Sequence, residues 1–225
     1  MPRLEVKNIM QREAKAQARK DEWRSIYEDC YEFALPQRNL YSGNYEGNVS
    51  GKNKMSRVFD STAIHATQRF ANRLQSGLFP PYKKWCRLEA GSAIPEAQRE
   101  QAQSILDTYT DNLFDTMRQT SFDLAMGEFL LDLAVGTAVM MITPGDESTP
   151  VRFTAIPQYL VAIEEGANGM IDNVYRKLRI KAESILVEFP EATVSPQLED
   201  AMELRPEQEL DLIDCVIYDN DTGRY

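Results

Sequence analysis

The chain has 225 residues, of which 43% are hydrophobic, and this suits either one large globular domain or two small ones. Its net charge of -10 lies in the last fifth of the chain: residues 182–225 hold 12 acidic and 2 basic residues, whereas residues 1–181 hold 23 of each. Because nucleic-acid backbones are bound by lysine and arginine, this acidic end is not expected to bind nucleic acid. The longest apolar region, residues 122–143, contains Asp123, Glu128 and Asp132, so we expect no membrane span. No charged leader opens the chain, so we expect no secretory signal.

The first predicted helix covers residues 22–34, where Trp23, Ile26 and Cys30 belong to an apolar stripe at helical spacing that Pro36 ends. Residues 10–21 are mostly good helix formers without a wide apolar stripe. We therefore expect one long helix whose first half is solvated or packs on a neighbour.

Residues 39–57 are rich in Gly, Asn and Ser and are predicted to form a mobile polar loop. Within it, residues 47–53 have only a superficial likeness to a phosphate-binding loop. Three residues instead of four separate Gly47 from Gly51, Asn53 stands where Ser or Thr would bind magnesium, and no apolar strand precedes the stretch. A nucleotide site is therefore not predicted there.

The second helix is predicted to begin at the N-cap Asp60-Ser61-Thr62 and to end near Gly77, before the double proline Pro80-Pro81. After it, residues 85–90 alternate as a short strand does. Large apolar residues stand on both sides of the double proline: Leu78, Phe79, Tyr82 and Trp85. They either cap the core of this chain or anchor a contact with another subunit.

Two more helices complete a mainly helical region, residues 1–134. Pro95 suits the first turn of one helix, and residues 122–134, apolar around more than half of the circumference, are expected to form a central helix. The buried stripe of the helix after Pro95 is predicted to be Ala102, Leu106, Tyr109, Leu113 and Met117.

A β-rich region, residues 135–225, is predicted from Gly136 onward. Strands are expected at residues 137–143, 151–156, 159–163, 170–179 and 212–218, and a short helix near residues 182–189. The fold class is therefore α+β, with long N-terminal helices packed on an antiparallel hairpin or meander. The last strand has no visible partner, so we expect a chain truncated at its C-terminus.

No catalytic, cofactor-binding or metal-binding residue is predicted. His65 is the only histidine, and its neighbours Asp60, Ser61 and Thr62 already have a role as helix caps. The three cysteines lack the spacing of a zinc site and suit reduced thiols: Cys30, Cys86 and Cys215.

The charged residues are predicted to be ordinary surface. Glu164-Glu165 and Glu199-Asp200 are predicted to be solvated, although a carboxylate dyad assembled by the fold stays possible. A set of cations could contact phosphates, but a mixed-charge face is favoured, since residues 1–57 hold 11 basic and 8 acidic residues. The set is Lys15, Arg19, Lys20, Arg24, Lys52, Lys54, Arg57, Lys83 and Lys84.

Several segments, taken in order, resemble a known family. Residues 58–63 read V-F-D-S-T-A, residues 77–81 read G-L-F-P-P and are followed by Trp85, residues 135–139 read V-G-T-A-V, and residues 153–157 read F-T-A-I-P. Together with a long helix that ends in Leu35-Pro36, this pattern resembles the N-terminal part of phage portal proteins, the head-to-tail connecting family of short-tailed phages.

The resemblance implies a structural virion protein without an enzymatic active site. Its members form a homo-oligomeric ring of about twelve subunits at one capsid vertex, assembled in the host cytoplasm. The ring nucleates capsid assembly with scaffolding proteins, docks the terminase motor, binds a tail adaptor and forms the channel for packaging and ejecting double-stranded DNA, without sequence specificity. The present residues would form a portal wing-like part. Two alternatives are a non-enzymatic helical adaptor or scaffold that binds protein partners, and a hydrolase that uses acidic residues.

Overall fold

The computed structural model describes residues 6–36, 58–166 and 168–218. Over these ranges the helices are α1 Val6–Asp21, α2 Arg24–Ala34, α3 Thr62–Leu78, α4 Glu96–Arg118, α5 Phe122–Leu133, α6 Ile185–Glu188 and α7 Pro196–Leu204. The strands are β1 Val139–Pro144, β2 Val151–Ile156, β3 Val161–Glu165, β4 Ile171–Lys181 and β5 Glu209–Ile217. The predicted α+β class is confirmed. No helix in the described ranges is long and apolar enough to cross a membrane.

The elements group into two compact units. The sheet unit comprises Met1–Glu22 and Tyr159–Tyr225, and the hairpin unit comprises Trp23–Gln158. The division by secondary structure at residues 134 and 135 stays a prediction. The predicted polar loop, residues 39–57, lies outside the described residues.

The single long helix predicted for residues 10–34 is wrong, because α1 and α2 are separate helices. Trp23 breaks the run with φ -96° and ψ 0°, and its carbonyl accepts the N–H groups of Ile26 and Tyr27 in a new first turn. The break coincides with the boundary between the two units. Each helix therefore follows the packing of its own unit, which outweighs the uniform helix propensity of the sequence.

In the sheet unit, α1 packs on an antiparallel sheet with the strand order β3-β4-β5. Ala16 of α1 is buried against Ala162 of β3 and Tyr175 of β4. β5 pairs with β4 over its whole length, from Lys181 opposite Glu209 to Asn173 opposite Ile217. The expectation that the last strand lacks a partner is therefore wrong, and truncation of the chain stays a prediction without that support.

The sheet unit also contains a helix that the sequence analysis did not predict. In α7, Pro196 occupies the first turn, and the Ser195 side chain accepts the N–H of Leu198 at 3.3 Å. This is the usual N-terminal signature of a helix. The helix predicted near residues 182–189 is present as a 3-10 turn, Ala182–Ser184, followed by α6.

In the hairpin unit, α5 packs against α3 and against the β1–β2 hairpin, and α3 also packs on α2. The hairpin pairs Val139 with Ile156 and Pro144 with Val151. Phe122 and Leu130 of α5 are buried, which agrees with the central place predicted for this helix. The Tyr31 hydroxyl donates to Asp132 Oδ1 at 3.1 Å, so a polar pair joins α2 to α5 inside this core.

The strand predicted at residues 85–90 is wrong, because this extended segment pairs with helix side chains and not with another strand. The N–H of Leu88 donates to Thr110 Oγ1, and Gln103 of α4 accepts the N–H of Ala90 while donating to the carbonyl of Leu88. The alternation of side chains is real, but the backbone bonds are made to α4. Alternation of apolar and polar residues predicts an extended backbone, but it does not predict which groups the backbone pairs with.

The stripe predicted for α4 is partly wrong. Tyr109 and Leu113 are exposed, whereas Thr110 and Phe114 are buried. The inner face of α4 differs from the predicted one because it binds segment 85–90 through the polar side chains of Gln103 and Thr110. A search for apolar residues cannot find such a face.

Candidate assembly surface

The turn after α3 holds its backbone in a strained shape. α3 begins at Thr62, whose N–H and hydroxyl donate to Asp60 Oδ1, while the N-cap residue Ser61 makes no side-chain capping bond; the helix ends at Leu78. Pro80 then accepts the N–H of Lys83 in a tight turn, in which Tyr82 has φ 64°. A positive φ is costly for a bulky side chain, so the surrounding structure must hold Tyr82 in place.

An aromatic cluster lies directly below this turn. The ring of Trp85 stands 5.0 Å from Phe79, 5.4 Å from Phe114 and 6.0 Å from Phe122, and Phe122 reaches Phe153 at 5.1 Å. Most of these pairs are edge to face, which is a favoured geometry for aromatic rings. The cluster ties the turn to α4, α5 and β2.

The four large residues around the double proline therefore divide into two pairs. Phe79 and Trp85 are partly buried and pack on the buried Phe122 and Phe114, which agrees with the first of the two interpretations for them. Leu78 is 56% exposed and Tyr82 is 88% exposed, so both present apolar surface outward from a rigid base. For these two residues a contact with another subunit stays a prediction.

Of the six described cations that suggested phosphate binding, four contact groups of this chain. Arg24 pairs with Glu28 at 2.9 Å, Lys84 pairs with Asp111, and Arg19 lies 4.0 Å from Glu165. Lys20 donates to the carbonyl of Tyr159 at 2.6 Å, and its burial lowers the pKa of Lys20 to about 8. These contacts agree with the mixed-charge interpretation, while Lys52, Lys54 and Arg57 lie outside the described residues.

Glu164 is part of a network and not the solvated side chain that was predicted. Its carboxylate accepts Arg12 at 3.0 Å, Asn173 at 2.8 Å and the Tyr175 hydroxyl at 3.0 Å. Burial alone would raise the pKa of Glu164, but these hydrogen bonds outweigh it and the pKa lies below its usual value. Burial and the bond to Glu164 raise the pKa of Tyr175 to about 12.

The strand pairing explains why Glu164 lies on the inner face of the sheet. In β3, Ala162 and Glu164 are two residues apart and share one face of the strand. Ala162 faces Tyr175 and Glu164 faces Asn173 across the β3–β4 pair. Given this register, Glu164 therefore lies on the same inner face of the sheet as the buried Ala162.

The residues considered for chemistry are dispersed in the structure. His65 is exposed in the first turns of α3, and its neighbour Asp60 is engaged with Thr62. Glu199 and Asp200 are exposed on α7, and the three cysteines are free thiols. Among the described residues, no group of three or more His, Cys, Asp or Glu side chains is placed to hold a metal ion.

Comparison with known proteins adds one finding to this geometry. No curated protein matches the sequence. The model of one family, bacteriophage head to tail connecting protein, matches residues 6–224 and thus both compact units. The chain therefore belongs to the family of bacteriophage head to tail connecting proteins.

Proposed function

We propose that this chain is a subunit of a portal ring of about twelve copies at one vertex of the capsid. The ring nucleates capsid assembly with scaffolding proteins, docks the terminase motor, binds a tail adaptor, and forms the channel for packaging and ejecting double-stranded DNA. The subunit acts without an enzymatic site. It is assembled in the host cytoplasm and remains in the virion.

The match of one connector family over residues 6–224 carries this proposal. That family joins the head and the tail of a phage, which gives the chain a structural role in the virion. Two features of the described residues support the finer proposal. First, Leu78 and Tyr82 expose apolar surface that a neighbouring subunit of the ring could cover. Second, several basic residues pair with carboxylates of the same chain, so they would bind DNA phosphates weakly and let the DNA slide.

The test is the mass and shape of the complete gene product that contains this chain, by light scattering with negative-stain images. The proposal predicts closed rings of about twelve subunits with a central hole. A product that stays monomeric at high concentration would refute it and would favour a protein-binding adaptor. Turnover that depends on one Asp or Glu would instead favour the hydrolase alternative.

A further inference from the structure

The outward face of α3 carries two arginines that form no ion pair with any described residue. Arg69 and Arg73 are exposed and stand one helical turn apart. α3 itself contains no Asp or Glu, in contrast to the carboxylate partners that Arg12 and Arg87 find elsewhere. Like charges at this spacing repel each other in an isolated helix, so a partner that brings carboxylates would relieve the repulsion.

Apolar side chains lie between these two arginines. Ala66, Phe70 and Leu74 line, with both arginines, a groove of about 350 Å³, and Phe70 is 42% exposed. A DNA backbone would use the guanidinium groups but would leave Phe70 in water. The groove therefore suits an amphipathic protein segment that offers carboxylates and one apolar side chain.

The chain itself contains a helix with this complementary pattern. On α7, Glu199 and Glu203 are exposed and one turn apart, and Leu204, which follows Glu203 at the end of the helix, is 75% exposed. Neither glutamate forms an ion pair with a described cation, and the nearest basic residue in sequence is Arg205 at the C-cap. Two residues four positions apart are separated by about 6 Å along a helix, so the two glutamates and the two arginines have the same spacing.

We propose that α7 of one copy of this chain docks into the α3 groove of a second copy. Glu199 and Glu203 pair with Arg69 and Arg73, and Leu204 covers Phe70. Because α3 and α7 are different surfaces, the contact is head to tail, as a closed ring requires. This inference rests on the proposed ring function and names one of its subunit contacts.

Two charge-reversed variants test the contact: Arg69→Glu with Arg73→Glu, and Glu199→Arg with Glu203→Arg. Sedimentation equilibrium of this chain at moderate salt should show a mass that rises with concentration for the unaltered protein. Each variant alone should associate at least about tenfold more weakly, because like charges then meet across the contact. An equimolar mixture of the two variants should regain association, since each groove then finds a helix of opposite charge.

The matched control is Lys15→Glu with Arg19→Glu on α1, which changes the charge equally at the same helical spacing and should leave association unchanged. Far-UV circular dichroism checks that every variant is folded. The inference is overturned if the unaltered chain stays monomeric, if both variants associate as it does, or if their mixture fails to recover. Loss of double-stranded DNA binding by the arginine variant, with association unchanged, would also overturn it and would identify a DNA-facing surface.

The proposed function is tested separately by the rings of the complete gene product. Rings that form equally well with both charge-reversed variants would refute this contact and leave the proposed function standing. The absence of rings in every form of the complete product would refute the function itself.

Discussion

Two neighbouring residues at the end of α3 allow a direct test of where the core of the hairpin unit ends. Phe79 packs its ring against Trp85 at 5.0 Å and Phe122 at 6.0 Å, whereas Leu78 is mostly exposed. Truncating a buried Phe to Ala costs about 3–5 kcal/mol. Because Phe79 is half-buried, we expect Phe79→Ala to lower the free energy of unfolding by about 3 kcal/mol. Leu78→Ala should cost less than about 1 kcal/mol.

Urea unfolding followed by tryptophan fluorescence measures this difference, because both tryptophans, Trp23 and Trp85, belong to the hairpin unit. The two variants differ only in which of two adjacent side chains is removed, so each controls for the other. Equal costs, or a cost below about 1 kcal/mol for Phe79→Ala, would contradict the assignment of this ring to the core.

Three further predictions concern the turn and the sheet unit. Tyr82→Gly should raise the free energy of unfolding by about 0.5–1 kcal/mol, because the relief of the positive φ exceeds the conformational entropy that glycine loses on folding. The variant should therefore have a higher melting temperature, and a lower one would show that Tyr82 is not strained. Glu164→Gln should cost about 1–2 kcal/mol at neutral pH in urea unfolding followed by circular dichroism. Since the folded pKa of Glu164 lies below the unfolded one, this contribution is lost as the pH falls through the folded pKa, and the variant and the parent should converge in acid. Lys20 has a pKa of about 8 in the folded chain, below its ordinary value of 10.5. Between these two pH values the unfolded chain binds more protons, so the free energy of unfolding should rise with pH. Lys20→Met should abolish that rise.

The elements that the sequence predicted well are those whose own side chains carry the signal. The hairpin strand at residues 151–156 has the predicted bounds, because its apolar residues and its turn lie within a few positions of each other. α5 was found for the same reason, since its apolar surface is continuous. α7 was missed although Ser195 and Pro196 marked its start, because its short apolar stripe is weak.

The features that were predicted wrongly depend on a partner elsewhere in the chain. Nothing local at Trp23 distinguishes a continuous helix from a break, which follows from the packing of two different units. Segment 85–90 and Tyr109 were misassigned because Gln103 and Thr110, both polar, form the inner face of α4. Glu164 was taken for surface because its partners Arg12 and Tyr175 come from other elements.

The order of the two units along the chain leads to a last prediction. The sheet unit is interrupted by the hairpin unit, so Lys20 meets the carbonyl of Tyr159 across 139 residues and Arg12 meets Glu164 across 152. Closing a flexible loop of that length costs about 2 kcal/mol more than closing one of about 20 residues. A folded hairpin unit has already ordered most of the intervening chain, and it therefore favours the docking of α1 on β3.

This coupling has a direction. Phe79→Ala, which loosens the hairpin unit, should also lower the protection of amide hydrogens in β3 and β4 against exchange, although the substitution lies in the other unit. Glu164→Gln, which loosens the sheet unit, should leave exchange in α3 and α5 unchanged, because the main contacts of these two helices, with each other and with α2, β1 and β2, lie within residues 23–158. Equal effects in both directions would show that the two units unfold as one, and no effect in either would show that α1 docks independently of the chain between.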